Sequence, residues 1–113
     1  LKELSLASRI RKILDTAVAR SEGQIRLPEL LTGLHCRYEH LCRLFKKFYG
    51  VSPLEYILAQ RITKAKTLLR NTSMSVSEIS YQVGMNSPAY FTKQFRSIAG
   101  KTPKEYRDNF TDR

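Results

Sequence analysis

Four side chains able to bind soft metals, His35, Cys36, His40 and Cys42, fall within one run of eight residues. Zinc would need all four to converge as a tetrahedron. Cys36 and Cys42 straddle the start of an expected helix, and His40 leaves that helix at a different angle from Cys42. The spacing fits no familiar ligand pattern, so no metal site is expected. Cys42 as an oxidation sensor is the weaker reading beside an ordinary thiol. There is no Ser, His and Asp set, nucleotide-binding loop or carboxylate pair, and both histidines lie in one segment; neither an enzyme nor a cofactor is expected. What remains is hydrogen bonding by cations. Arg43 and Lys93 stand fifty positions apart in matching surroundings. Each can donate to the O6 and N7 acceptors of guanine, Arg43 with two donors at once and Lys93 as a point charge.

Those surroundings are a repeat. Residues 41–57, LCRLFKKFYGVSPLEYI, align with residues 91–107, FTKQFRSIAGKTPKEYR. Phe45 falls on Phe95, Gly50 on Gly100, Pro53 on Pro103, Glu55 on Glu105 and Tyr56 on Tyr106. Charge persists where identity is lost, with Arg43 over Lys93 and Lys46 over Arg96. So does apolar bulk, with Leu41 over Phe91 and Phe48 over Ile98. A repeat that keeps core, charge and turn positions is a duplicated structural unit.

Within each copy, GVSPLEY and GKTPKEY predict a corner. Glycine suits the left-handed residue that ends a helix. Ser52 and Thr102 can cap the next helix, with Pro53 and Pro103 at its first position. Glu55 and Glu105 stand where a capping box closes. Tyr56 and Tyr106 can then fold back on the preceding helix.

An amphipathic helix precedes each corner: residues 38–49, with Leu41, Leu44, Phe45 and Phe48 inward, and residues 88–99, with Phe91, Phe95 and Ile98 inward. A shorter helix and a turn come before each. In the second unit, Ser75 and Glu78 predict a capping box, Gly84 a helix end, and Ser87 and Pro88 a helix start. In the first, Pro28, Leu30, Leu31 and Leu34 form the short helix and residues 33–37 the turn. Residues 53–71 place Leu54, Ile57, Leu58, Ile62, Ala65, Leu68 and Leu69 at helical spacing without internal glycine or proline. That predicts one rod of about 27 Å. An opening helix over 4–20 should pack Leu6, Ile10, Ile13, Leu14 and Ala17 on the first unit. The fold class is all-α, two helix-turn-helix subdomains joined by a long central helix, with about seven helices. Expected bounds are 1–52 for the first subdomain, 53–71 for the connecting helix and 72–113 for the second.

Composition narrows the partner. Twenty Lys and Arg against ten Asp and Glu give a net charge of +10, while 42% hydrophobic residues suffice for a core. A basic, foldable chain points to a polyanion, with nucleic acid ahead of anionic membrane. Two cysteines make no disulfide framework, so a reducing cytoplasm is expected. No run of 18 apolar residues suggests a membrane span. A start at Leu1 suggests a piece of a longer protein, whose missing part is not visible here.

A helix in the major groove reads bases from its exposed face and mainly its first turns. In the first unit that face carries Tyr38, Glu39, Cys42, Arg43 and Lys46; in the second it carries Pro88, Ala89, Thr92, Lys93 and Arg96. Glu39 can accept from cytosine N4, and Thr92 can meet a thymine methyl. Lys46, Lys47, Arg96, Lys101 and Lys104 suit phosphates, which hold register without reading sequence. Two readers on a rod should enter successive major grooves about 34 Å apart, bending the duplex if the rod holds them closer.

RITKAKTLL (61–69) followed by VSEISYQVGMNSPAYFTKQFRSIAGKTPKEYR (76–107) resembles the DNA-binding domain of the AraC/XylS family of bacterial transcription regulators. The likeness covers about residues 25–107, with 4–20 matching the family's opening helix less sharply. It implies seven helices in two helix-turn-helix subdomains, usually fused to an N-terminal sensing or dimerising domain that is absent here. It implies promoter DNA and RNA polymerase as partners, with activation more common than repression. It places Glu39, Cys42, Arg43, Ala89, Thr92 and Lys93 against bases. The first unit departs from the family: Leu31 replaces a small alanine, His35 a turn glycine and Arg37 the capping serine. In the second, Ser80 replaces the alanine and Met85 a phenylalanine. A lost cap costs about 1 kcal/mol, and a non-glycine left-handed residue about as much. The first unit should therefore be the less regular, with Arg37 compensating as a phosphate ligand. A helical protein-interaction module is the rival; it explains the repeat and the rod but not cations at equivalent reading positions.

Overall fold

The computed structural model describes residues 2–20 and 25–111. Among these residues seven α-helices run in order: α1 Lys2–Arg20, α2 Leu27–Leu30, α3 Tyr38–Tyr49, α4 Pro53–Asn71, α5 Val76–Gln82, α6 Pro88–Ala99 and α7 Pro103–Thr111. No strand occurs among the described residues. None of their helices is long and apolar enough to cross a membrane. The chain divides into two compact units, the described part of the first covering 2–20 and 25–57, that of the second 58–111.

In the first unit, α1 buries Ala7, Ile10 and Leu14. Ile10 and Leu14 join Leu27, Leu31, Leu34, Leu41, Phe45 and Ile57 in one core. Leu6 and Ile13 flank it as expected, and Ala17 is half-buried. The short helix expected around Pro28 is shorter than its apolar pattern suggests. It ends after Leu30, and a 3-10 turn, Thr32–Leu34, carries the chain to His35. Leu31 is buried in a bridge-like conformation (φ −98°, ψ 7°) between the two pieces. The sequence expected irregularity here, and the backbone has it.

In the second unit, Ile62, Ala65 and Leu69 of α4 pack with Ile79, Val83, Met85, Phe91 and Phe95. Met85 is 7% exposed and fills a core position. Ser80 is fully buried, and its hydroxyl donates to the Ser77 carbonyl at 2.6 Å, so it stays satisfied inside α5. One expected core contact fails: Ile98 is 44% exposed, because it lies at the margin of its helix's apolar stripe, as does Leu54 of α4 at 53%.

The corners take the form their sequence dictates. Gly50 and Gly100 adopt φ of +80° and +83°, and a Cβ on either would meet nothing within 4 Å. Glycine is there for its left-handed backbone, not for close packing. Ser52 Oγ accepts from the Glu55 N–H at 3.1 Å while the Glu55 carboxylate accepts from the Ser52 N–H at 3.0 Å. Thr102 and Glu105 repeat the exchange at 3.1 and 2.9 Å. Ser75 and Glu78 close a third box at the start of α5.

Candidate nucleic-acid interface

The second helix of each helix-turn-helix pair, α3 or α6, carries the candidate readers, and the two begin differently. Ser87 is extended, and its hydroxyl accepts from the Tyr90 N–H at 3.2 Å, with Pro88 in the first turn of α6. Arg37 occupies the same place before α3 (φ −62°, ψ 138°) and its side chain makes no capping bond. The turn ahead of α3 is left-handed at His35 (φ 54°); the one ahead of α6 is left-handed at Gly84 (φ 84°) and again at Asn86 (φ 54°). Histidine does sit where the geometry asks for glycine.

Glu39 and Arg43 on α3, and Ala89 and Lys93 on α6, are exposed. Cys42 and Thr92, equivalent in the repeat, are both half-buried. Tyr38, expected on the exposed face, is half-buried against the first core instead. Burial first, then the Cys42 thiol beside it, pushes the Tyr38 hydroxyl up to about 12, so it stays neutral. The sequence overlooked a further matched pair: His40 and Tyr90, both exposed in the first turn of their helices, fifty residues apart.

Among the phosphate candidates, Arg37, Lys46, Lys47, Arg96 and Lys104 are exposed and Lys101 is half-buried. Lys46 and Lys47 lie in the last turn of α3 and Arg96 in that of α6, where cations also complement the helix dipole. Bonds from the Ser52 backbone and side chain hold the Glu55 carboxyl below its usual range, helped by the charge of Lys46. The Thr102 backbone and side chain do the same for Glu105, helped by Arg96 and Lys101. The repeat has thus kept a cation beside each capping glutamate. Lys47 pairs with Glu3 at 3.2 Å, but both side chains are over half exposed, so the pair is weak and open to competition.

His35, Cys36 and His40 are exposed, and both cysteines are free. Among the described residues no three His, Cys, Asp or Glu side chains come together as a metal site requires.

The family model for the helix-turn-helix domain matches residues 30–109. The chain belongs to this helix-turn-helix family and is related to the AraC/XylS regulators. The family is a regulatory one, and its fold is not that of an enzyme. The chain is 36% identical over 87 residues to the uncharacterised helix-turn-helix transcriptional regulator YdiP of Escherichia coli K12. That match covers 77% of this chain and 29% of YdiP. A Chromobacterium violaceum regulator with an AraC-type DNA-binding domain superposes with a TM-score of 0.79 at 26% identity, covering 92% of this chain and 93% of that one. The DNA-binding domain of AdpA, solved with a target DNA, shares the fold at a TM-score of 0.83 and 24% identity, covering 91% and 93%. Within this helix-turn-helix frame, α3 and α6 are the second helices of their pairs.

Proposed function

We propose that this chain is the sequence-specific double-stranded DNA-binding module of a transcription regulator. In this reading α3 and α6 enter successive major grooves of one duplex. Glu39, Cys42, Arg43, Ala89, Thr92 and Lys93 face the bases, and Arg37, Lys46, Lys47, Arg96, Lys101 and Lys104 hold phosphates. One observation carries it: Arg43 and Lys93 are exposed at the same position of the two repeated helices, each before the same corner. A fold seen on target DNA in AdpA supports it, as does a net charge of +10. Helix α4, about 27 Å long by its rise per residue, supplies Ile57 to the first core and Ile62, Ala65 and Leu69 to the second.

The full protein we place in the cytoplasm as a regulator, more in keeping with an activator. It would carry an N-terminal sensing or dimerising domain and meet RNA polymerase at its promoter. Titrating duplex DNA at two salt concentrations tests the core of this. Binding should weaken steeply, with a log–log slope of roughly 0.9 per phosphate neutralised, and keep a preference for one sequence. A helical interaction module would show neither.

A further inference from the structure

Arg61 opens the stretch RITKAKTLL and has no part in the interface above. It is 7% exposed, the only buried charged side chain among the described residues. Such burial is rare for a group that stays charged. Its Nη1 donates to the Gly84 carbonyl at 3.2 Å. Gly84 lies in the loop that joins α5 to α6 in the same unit. The loop is also held by main-chain bonds, the Gly84 N–H donating to the Tyr81 carbonyl at 3.0 Å and the Met85 N–H to the Ser80 carbonyl at 2.9 Å, and by the Met85 side chain in the core. Two left-handed residues, Gly84 and Asn86, then turn the chain into the Ser87 cap.

A buried guanidinium is a poor device for stability alone. Its desolvation offsets much of what its bonds contribute, and an apolar side chain of like volume often does as well. What the apolar chain lacks is direction: a rigid fork of donors can hold a carbonyl in one orientation.

We propose that Arg61 is a positioning residue for DNA reading: by gripping the Gly84 carbonyl from α4, it fixes where α6 begins and so where Ala89, Thr92 and Lys93 point. The proposal rests on the reading of α6 as a base-reading helix. It adds a residue outside the interface on which the specificity of one unit depends.

The test uses the 113-residue chain with Arg61→Met, which keeps bulk and removes the donors. In DNA-free protein, amide exchange at Met85 should quicken roughly tenfold, the scale of a charge-assisted bond, while exchange at Phe95 and Phe45 stays unchanged. In selection from a random duplex pool, preference should fall by about the same factor in the half-site that Lys93→Ala also flattens, and hold in the other half. Lost stability alone would lower the active fraction for every sequence alike and leave both halves intact. Unchanged Met85 exchange, or faster exchange with both halves preserved, overturns the proposal. Should Arg61→Met not fold, Arg61→Gln, which keeps a neutral donor, takes both measurements. If the unsubstituted chain selects no sequence, the DNA reading itself fails, and Met85 exchange still decides whether Arg61 holds the loop.

Discussion

Tyr56 meets Phe45 edge-on, with ring centroids 5.5 Å apart and planes at 75°. Fifty residues on, Tyr106 meets Phe95 at 5.6 Å and 74°. Both phenylalanines are fully buried. The duplicated corner thus repeats a contact geometry as well as a sequence, docking each candidate reading helix on the helix that follows it. Edge-on aromatic pairs contribute about 1 kcal/mol beyond their buried area. Double-mutant cycles of Phe45→Leu with Tyr56→Leu, and of Phe95→Leu with Tyr106→Leu, should each give a coupling near that value in urea unfolding. Coupling near zero in both would mean that the rings only fill space.

Glu55, Glu78 and Glu105 make the pH prediction. Backbone and hydroxyl bonds from Ser52, Ser75 and Thr102 hold each carboxyl below its ordinary 4.5. A depressed folded-state value means that the contribution is complete above the unfolded value and is lost as pH falls through the folded one. The melting temperature should therefore drop below about pH 4.5. The triple variant Glu55→Gln, Glu78→Gln, Glu105→Gln should show a shallower drop, since glutamine keeps an acceptor but does not titrate. Parallel curves would show that the boxes contribute nothing through charge.

The irregular start of α3 can be repaired. His35→Gly removes a left-handed penalty of about 1 kcal/mol and adds some unfolded-chain freedom. A net gain of roughly 0.5 kcal/mol is expected. Asn86→Gly should gain less, because asparagine tolerates the same conformation. Arg37→Ser should add a cap worth about 1 kcal/mol yet lower the salt slope of DNA binding by roughly 0.9. Affinity unchanged at physiological salt would remove Arg37 from the phosphate ligands.

The corners, the bounds of α3, α4 and α6, and the caps at Ser75 and Ser87 were legible in the sequence, because each depends on neighbours a few residues away. Burial was harder to read. An apolar stripe identifies a face but not its margin, so Ile98 reads as inward while it and Leu54 are both exposed. The repeat held a clue, since Leu54 aligns with Lys104 and both are exposed. Arg61 was hidden because its partner lies 23 residues away and only the folded chain brings a carbonyl to it. Cys42 and Thr92 read as exposed, yet each is half-buried.

Among the candidate readers, roles separate by sequence dependence. Arg43→Ala and Lys93→Ala should each narrow the gap between selected and random duplex by about 1–3 kcal/mol. Lys46→Ala should weaken both duplexes alike and reduce the salt slope by roughly 0.9. Fluorescence anisotropy on the two duplexes checks all three; equal losses on both for every variant would show the roles are wrongly divided.

The central claim is that two repeated helices read one duplex. Selecting bound sequences from a random duplex pool with the intact chain tests it most directly. The account predicts a site with two informative clusters about one helical turn, roughly ten base pairs, apart. A single cluster, or no enrichment at all, would contradict it.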